Sequence, residues 1–407
     1  MRETMKFWGG NLNAGFTVAL VALPLAIAFG ESSSLGAAAG ITTAIFAGLV
    51  AAMFGGSKYQ VSGPTGAMTV VLIPLALKFG PSGVLFAGLL AGVILILAGL
   101  LKLGRHIHKL PTSVIEGFSA GIAVVIALQQ IGWTLGMTGA KGEKVYLTAW
   151  LQFSAWLSAP TWASVVVALA VMVTIIISLR KLPKLPASIL TLLLATLVCQ
   201  LAGVKLATIP VIANPMGTIS FDFLAMGNHF VDFLIPAFGI AALGAFEALL
   251  SAKIADRMVG GIASHNSDQE LVGQGLANLV VPFLGGVPAT AALARTAVNV
   301  RSGATSKLAA GAHSVFLIIM VLALTPLVSL VPLPALAGVL LATAFNMVKW
   351  GELAKVARAS KLDLMLVVLS LALTVFVDLI TALLIGTLMW IALRKTKLAK
   401  GEKDLSV

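Results

Sequence analysis

The sequence predicts an all-α polytopic membrane protein, with fourteen transmembrane segments in a seven-plus-seven inverted repeat. Three observations predict it: the apolar composition, the sidedness of the basic residues, and a motif that occurs twice. Hydrophobic residues make up 59% of the 407 residues and charged residues 10%, and the mean hydropathy is +1.04. Runs such as "VLFAGLLAGVILILAGLL" (84–101) are long enough to cross about 30 Å of hydrocarbon as helices. Ten-residue stretches of alternating polarity, the mark of a membrane barrel, do not occur.

Apolar stretches lay out as spans near 12–30, 34–54, 64–77, 82–101, 112–132, 161–179, 186–204, 230–253, 269–284, 290–300, 307–327, 332–348, 362–377 and 380–393. The start has a basic head and an apolar body, like a signal peptide. Another apolar span follows it rather than a polar domain, so it reads as the first membrane helix. With the N-terminus in the cytoplasm, 22 of the 27 Lys and Arg residues fall inside, and four, Lys78, Lys141, Lys144 and Lys205, fall outside. The remaining one is Arg295. This bias is what the positive-inside rule requires, and one miscounted span would scramble it. Both termini are therefore expected in the cytoplasm, in the inner (plasma) membrane of a cell. The net charge of +12 reports topology and needs no nucleic-acid partner. One cysteine, Cys199, excludes an intramolecular disulfide.

The repeated motif is "FGGSKYQVSGPTGAMTVV" (54–71) and "LGGVPATAALARTAVNV" (284–300). Both read Gly-Gly, proline, threonine, then small residues. They lie seven spans apart, so the second copy is inverted. The first repeat covers about 11–205 and the second about 229–394. Pro64 and Pro288 are expected to start helices inside the membrane. Such starts present free N–H groups and a partial positive charge, and two of them facing each other make an anion site. Thr65 and Thr290 add hydroxyls, and Gly66, Ala67, Ala291 and Ala292 leave room.

Arg295 is expected about a turn and a half into span ten, where its guanidinium reaches that site. An arginine at membrane depth is expensive without a partner or a ligand. Glu247 lies in span eight among Gly, Ala and Ser, with Ser251 one turn on. A carboxylate there is either paired, with Arg295, or protonated, as a proton-coupling group. Glu116 and Glu270 suit caps or loop contacts, as does Asp378 at an outer turn. His106 and His108 sit in a basic loop and suit solvation rather than a metal. "KLPKLP" (181–186) reads as a rigid connector.

The segments "ALPLAIAFG", "VSGPTGAMTVV", "HNSDQELVGQGLAN" and "GGVPATAALARTAVNVRSGA" closely resemble the SulP family of anion transporters, also called solute carrier family 26. The resemblance runs from about Asn11 to Arg394. It implies a fold shared with nucleobase transporters, commonly as a homodimer. Spans one to four and eight to eleven would form a core, and spans five to seven and twelve to fourteen a gate. Residue by residue it implies a substrate pocket of Leu25, Phe29, Thr65, Leu293, Ala294 and Arg295, with Glu247 and, one turn on, Ser251 beside it; the half-helix reading adds Gly66. Sodium-dependent bicarbonate members of the family have Asp at the position of Glu247, Thr at that of Leu293 and no Arg at that of 295. That departure favours protons over sodium. Family members usually continue into a cytoplasmic STAS domain, which this sequence does not include.

The expected function is secondary active transport of a small anion, sulfate or a dicarboxylate such as fumarate, coupled to protons. An elevator-like movement is the expected mechanism. A bicarbonate or chloride transporter, or an anion exchanger, is the alternative. A nucleobase transporter is disfavoured by arginine in span ten, and a channel or voltage-responsive motor is not separated by sequence. No Ser/His/Asp, Cys/His or metal-ligand cluster lies at membrane depth, so neither an enzyme, a metal nor a cofactor is expected.

Overall fold

The computed structural model describes residues 2–107, 112–137, 144–182, 185–210, 227, 229–260, 265–377 and 379–399. His108, Pro183, Lys184, Lys141 and Asp378, discussed above, lie outside them. The fold is helical. In chain order come α1 (Arg2–Ser32), α2 (Ala37–Phe54), strand β1 (Ser62–Gly63), α3 (Gly66–Leu100), α4 (Gly104–Ile107), α5 (Thr112–Gln129), α6 (Ile131–Thr134), α7 (Val145–Ser158), α8 (Trp162–Lys181) and α9 (Ala187–Leu201). The second half has α10 (Phe230–Met258), α11 (Ser267–Val280), strand β2 (Thr290–Ala291), α12 (Leu293–Arg301), α13 (Leu308–Val328), α14 (Leu333–Met347), α15 (Trp350–Ala359), α16 (Lys361–Phe376) and α17 (Leu379–Ala399).

Seven stretches among the described residues are long and apolar enough to cross a membrane: Phe7–Ser32, Ala37–Phe54, Gly66–Leu100, Thr112–Gln129, Trp162–Lys181, Phe230–Met258 and Leu333–Val356. The first of these lies in α1, which packs against α2, α12 and α13 as an integral part of the fold. Leu201, Val231 and Ile235 stay more than 70% exposed. Such outward apolar side chains suit a hydrocarbon solvent.

Spans three and four follow each other within α3 as two helical stretches, broken at Gly80 (φ 66°, ψ −171°) just before Pro81. Glycine tolerates the left-handed φ there, and the proline cannot continue the preceding hydrogen-bond ladder. Besides the short α4, the helices α7 and α15 also fall outside the expected spans. The 14 residues of α7 reach only about 21 Å at 1.5 Å per residue. Its Tyr146, Trp150 and Phe153 recur at helical spacing, a signal too short and too aromatic to register as a span. α15 is a polar-faced helix carrying the Glu352–Lys355 pair.

The chain forms two compact units, each discontinuous in sequence. One is Met1–His108 with Ile177–Leu336, the other Lys109–Ile176 with Ala337–Val407. The first holds spans one to four and eight to eleven and also α9, which is span seven and was expected with the gate but packs on α1. Within it, α3 and α11 approach closely because both lack side chains where they cross. A Cβ on Gly92 would sit 2.8 Å from the Gly275 carbonyl oxygen, and one on Gly275 would sit 2.7 Å from that of Gly92. Small residues allow such contact where no water drives helices together. The second unit packs α5 against α16, and the buried Glu116 faces Lys349 there at 3.8 Å.

Candidate anion-binding site

All the expected pocket residues belong to the first unit, where two short strands bring the half-helices together. β1 and β2 pair antiparallel, Ser62 opposite Ala291 and Gly63 opposite Thr290. Irregular backbone is tolerated at membrane depth only where its polar groups find partners. Here the strands satisfy each other, and side chains satisfy the flanks. Asn278 accepts the Ala289 N–H and donates to the Ala289 carbonyl, both at 2.8 Å. Asn299 donates to the Tyr59 carbonyl at 2.8 Å, and Gln60 donates to the Ala248 carbonyl. Glu270 accepts the N–H groups of Gly56 and Ser57 at 2.9 Å each, the loop contact expected of it.

The helix starts differ from the sequence reading. Neither proline is the first helical residue. α3 begins at Gly66 with Thr65 as its N-cap, and α12 begins at Leu293 with Ala292 as its N-cap. Pro288 instead lies ahead of β2 and packs on α3, within 2.7 Å of where a Gly88 Cβ would be. Counting from proline therefore put the second start too early. Arg295 is the third residue of α12, in its first turn, not a turn and a half inside. The Thr290 hydroxyl donates its hydrogen bond to the Gly244 carbonyl at 2.9 Å.

Thr65 links the two halves. Its Oγ1 accepts the Met68 N–H at 3.4 Å and donates to Glu247 Oε2 at 3.0 Å. Arg295 is 1% exposed, the largest of the fully buried side chains. Its Nη2 donates to the Pro64 carbonyl at 3.0 Å, while Nε and Nη1 have no protein partner. Glu247 and Arg295 attract one another across the site without forming a direct hydrogen bond or ion pair. Gly63 makes this possible: a Cβ there would collide with Nη1 of Arg295.

The other expected residues surround this core. Leu25 and Phe29 are buried one turn apart on α1, which packs against α12. Gly66 is buried at the start of α3, Leu293 is half-buried, and Ala294 is exposed. Ser251 is fully buried, and its hydroxyl has no partner. Two residues went unnoticed in the sequence: His313 and Ser314 of α13, buried with no partner for either ring nitrogen or for the hydroxyl. The signal was there, since His313 is the only ionisable residue between Lys307 and Lys349 and intramembrane ionisable groups are functional by default.

A buried, only partly satisfied guanidinium beside an uncapped helix start is a setting for an oxyanion. Among the described residues no group of His, Cys, Asp and Glu is placed to hold a metal. The sequence profile of the family described as "Sulfate permease family" matches residues 8–370. The chain belongs to the sulfate permease family. It is thus a membrane anion transporter, not an enzyme. A "Putative sulfate transporter YvdB" of Bacillus subtilis (strain 168) is 35% identical, over 96% of this chain and 75% of that protein. A "Bicarbonate transporter BicA" of Picosynechococcus sp. is 30% identical, over 93% of this chain and 68% of that protein. The solved transmembrane domain of a cyanobacterial bicarbonate transporter BicA superposes with a TM-score of 0.82 at 30% identity, covering 93% of this chain and 98% of that one. Murine Slc26a9 in its inward-facing state shares the fold, with a TM-score of 0.84 at 19% identity, over 95% of this chain and 68% of that one.

Proposed function

We propose that this transporter moves sulfate or a dicarboxylate such as fumarate together with protons. The observation that carries the reading is the buried Arg295, held by one nitrogen on the Pro64 carbonyl and unpartnered at the other two. An arginine at membrane depth costs about 3 kcal/mol even on a permissive scale. A bound anion offsets that cost, and the guanidinium with the first-turn N–H groups of α12 offsets the anion's lost hydration. The pocket is Leu25, Phe29, Thr65, Gly66, Leu293, Ala294 and Arg295.

Glu247 is the proton-coupling group in this reading. It is ion-paired with no cation and takes only the Thr65 hydroxyl, so protonation removes a negative charge facing the anion. Because the whole pocket lies in one compact unit, that unit can carry the anion in an elevator-like movement while the other serves as gate. The protein works as a homodimer in the plasma membrane with both termini in the cytoplasm. Bicarbonate is the second reading, supported by the 30% identity to proteins named for it. Glu247, Leu293 and Arg295 weigh against it.

Labelled sulfate, fumarate and bicarbonate uptake into sodium-free proteoliposomes, with and without an inward proton gradient, tests the proposal. Uptake of sulfate or fumarate that rises with the gradient is the expected result. Uptake that appears only with sodium or with a counter-anion inside overturns proton coupling.

A further inference from the structure

Behind the anion site lies a second set of buried polar groups. On α2, Gly48 faces three of them: a Cβ there would lie 3.0 Å from Ser314 Oγ, 3.3 Å from the Ser62 carbonyl oxygen and 3.6 Å from His313 Nδ1. One residue along β1, Gly63 abuts Nη1 of Arg295. His313 and the free edge of Arg295 therefore flank the same two-residue strand. All of these atoms except the Ser62 carbonyl lack protein partners, and both His313 and Arg295 are at most 1% exposed.

The charges around His313 are few. α2 has no ionisable residue, and α13 has none besides His313 itself. Those of α1 (Arg2, Glu3, Lys6 and Glu31) lie at its two ends, nine or more residues from Gly15, the α1 residue whose Cβ position meets the His313 backbone. That leaves Arg295 as the charged group facing the ring. A buried imidazole beside a guanidinium, with no carboxylate to pair it, stays uncharged. An uncharged ring always has one nitrogen able to accept a hydrogen bond.

We infer that His313 is a positioning residue: its neutral ring, with Ser314, holds the Nη1 edge of Arg295 through one bridging water, and so keeps the guanidinium aimed at the anion. The chemistry explains the residue type. A carboxylate at this place would pair with Arg295 and cancel the charge that attracts the anion. A cation would repel the guanidinium. An apolar side chain would leave Nη1 without an acceptor and free to swing towards Glu247, quenching the site. The inference rests on the anion-site reading of Arg295.

Binding of labelled sulfate and labelled fumarate to purified protein tests it as a double-mutant cycle with Arg295→Ala, alongside thermal midpoints. His313→Leu is expected to weaken binding about tenfold, and His313→Gln, which keeps an acceptor, less than about threefold. In an Arg295→Ala background His313→Leu should change nothing further, because the group it positions is gone. A lowered midpoint with unchanged affinity would make His313 a packing residue only. Equal losses in both backgrounds would mean it acts independently of Arg295. If Arg295→Ala alone leaves binding unchanged, the anion site itself is misplaced and this inference falls with it. The nitrogen-15 spectrum of the ring, identified by its loss in His313→Gln, needs neither ligand nor the leucine variant. Its signals should move in Arg295→Lys protein, and unmoved signals overturn the contact.

Discussion

Helices α3 and α12 each leave a two-residue strand and begin within the same buried unit, yet their first turns carry different chemistry. Thr65 caps α3 through its hydroxyl and donates that hydroxyl's hydrogen bond to Glu247. Ala292 offers α12 no side-chain cap, and the third residue of that helix is a buried arginine. The first repeat thus supplies a capped, neutral helix start that meets Glu247 of α10, and the second supplies both that carboxylate and an open, basic start. An inverted pair with identical ends would attract anions equally from both. Because the start of α3 gives Glu247 the Thr65 hydroxyl and gives Arg295 the Pro64 carbonyl, the carboxylate and the cation each have a neutral partner rather than each other. In the proposed mechanism, an anion at Arg295 and a proton at Glu247 bind at distinct groups that sense one another.

The largest effect is expected from removing the basic end. Arg295→Ala deletes the site's charge and its charge-assisted donors, worth about 1.5–3 kcal/mol, so anion affinity should fall about 10- to 100-fold. Equilibrium binding of labelled sulfate or fumarate measures it. A purely structural arginine would instead show as lost folding with affinity intact in whatever protein survives. Arg295→Lys sharpens the point, because a point charge replaces a planar fork. Lysine should restore part of the affinity and little of the selectivity between anions.

Changing the Glu247 carboxylate should alter coupling rather than affinity. In Glu247→Gln the amide still accepts the Thr65 hydroxyl but cannot take up a proton. Uptake down an anion gradient should persist, while its response to an imposed proton gradient disappears. The sign follows from the proposal: in the native protein uptake grows as the outside is made more acidic, and in the variant it is flat. A Glu247→Gln protein that still concentrates its substrate on a proton gradient would place the coupling group elsewhere.

The residues that carry charge were legible in the sequence because charge at membrane depth is conspicuous. Arg295 was the one basic residue that topology left unplaced, and Glu247 stood out in a run of Gly and Ala. The fourteen-span count survived the merging of spans three and four, since Gly80-Pro81 marks their junction whether or not the helix is continuous. What could not be read was register. Pro64 and Pro288 look equivalent in sequence, but Pro64 directly precedes a cap, whereas Pro288 precedes a strand and packs on Gly88. Strands of two residues have no period to detect. His313 was passed over because a lone histidine in an apolar helix carries no pattern, and only the fold shows that it flanks β1 opposite Arg295.

The smallest effect comes from making the two starts alike. Ala292 has the extended backbone of an N-cap (φ −96°, ψ 122°) without a capping group, so Ala292→Ser should supply one. A serine cap accepts an N–H of the first turn and adds about 1 kcal/mol of stability, which a thermal shift would register as a small rise. The same N–H groups are the ones proposed to face the anion. Anion affinity should therefore drop a few-fold as stability rises, because the serine oxygen competes with the ligand for the same donors. A rise in both would mean that the first turn of α12 does not bind the anion and that Arg295 does so alone. A rise in stability with lower affinity would show that the missing cap on the second repeat belongs to the site, an opening that the first repeat has closed with Thr65.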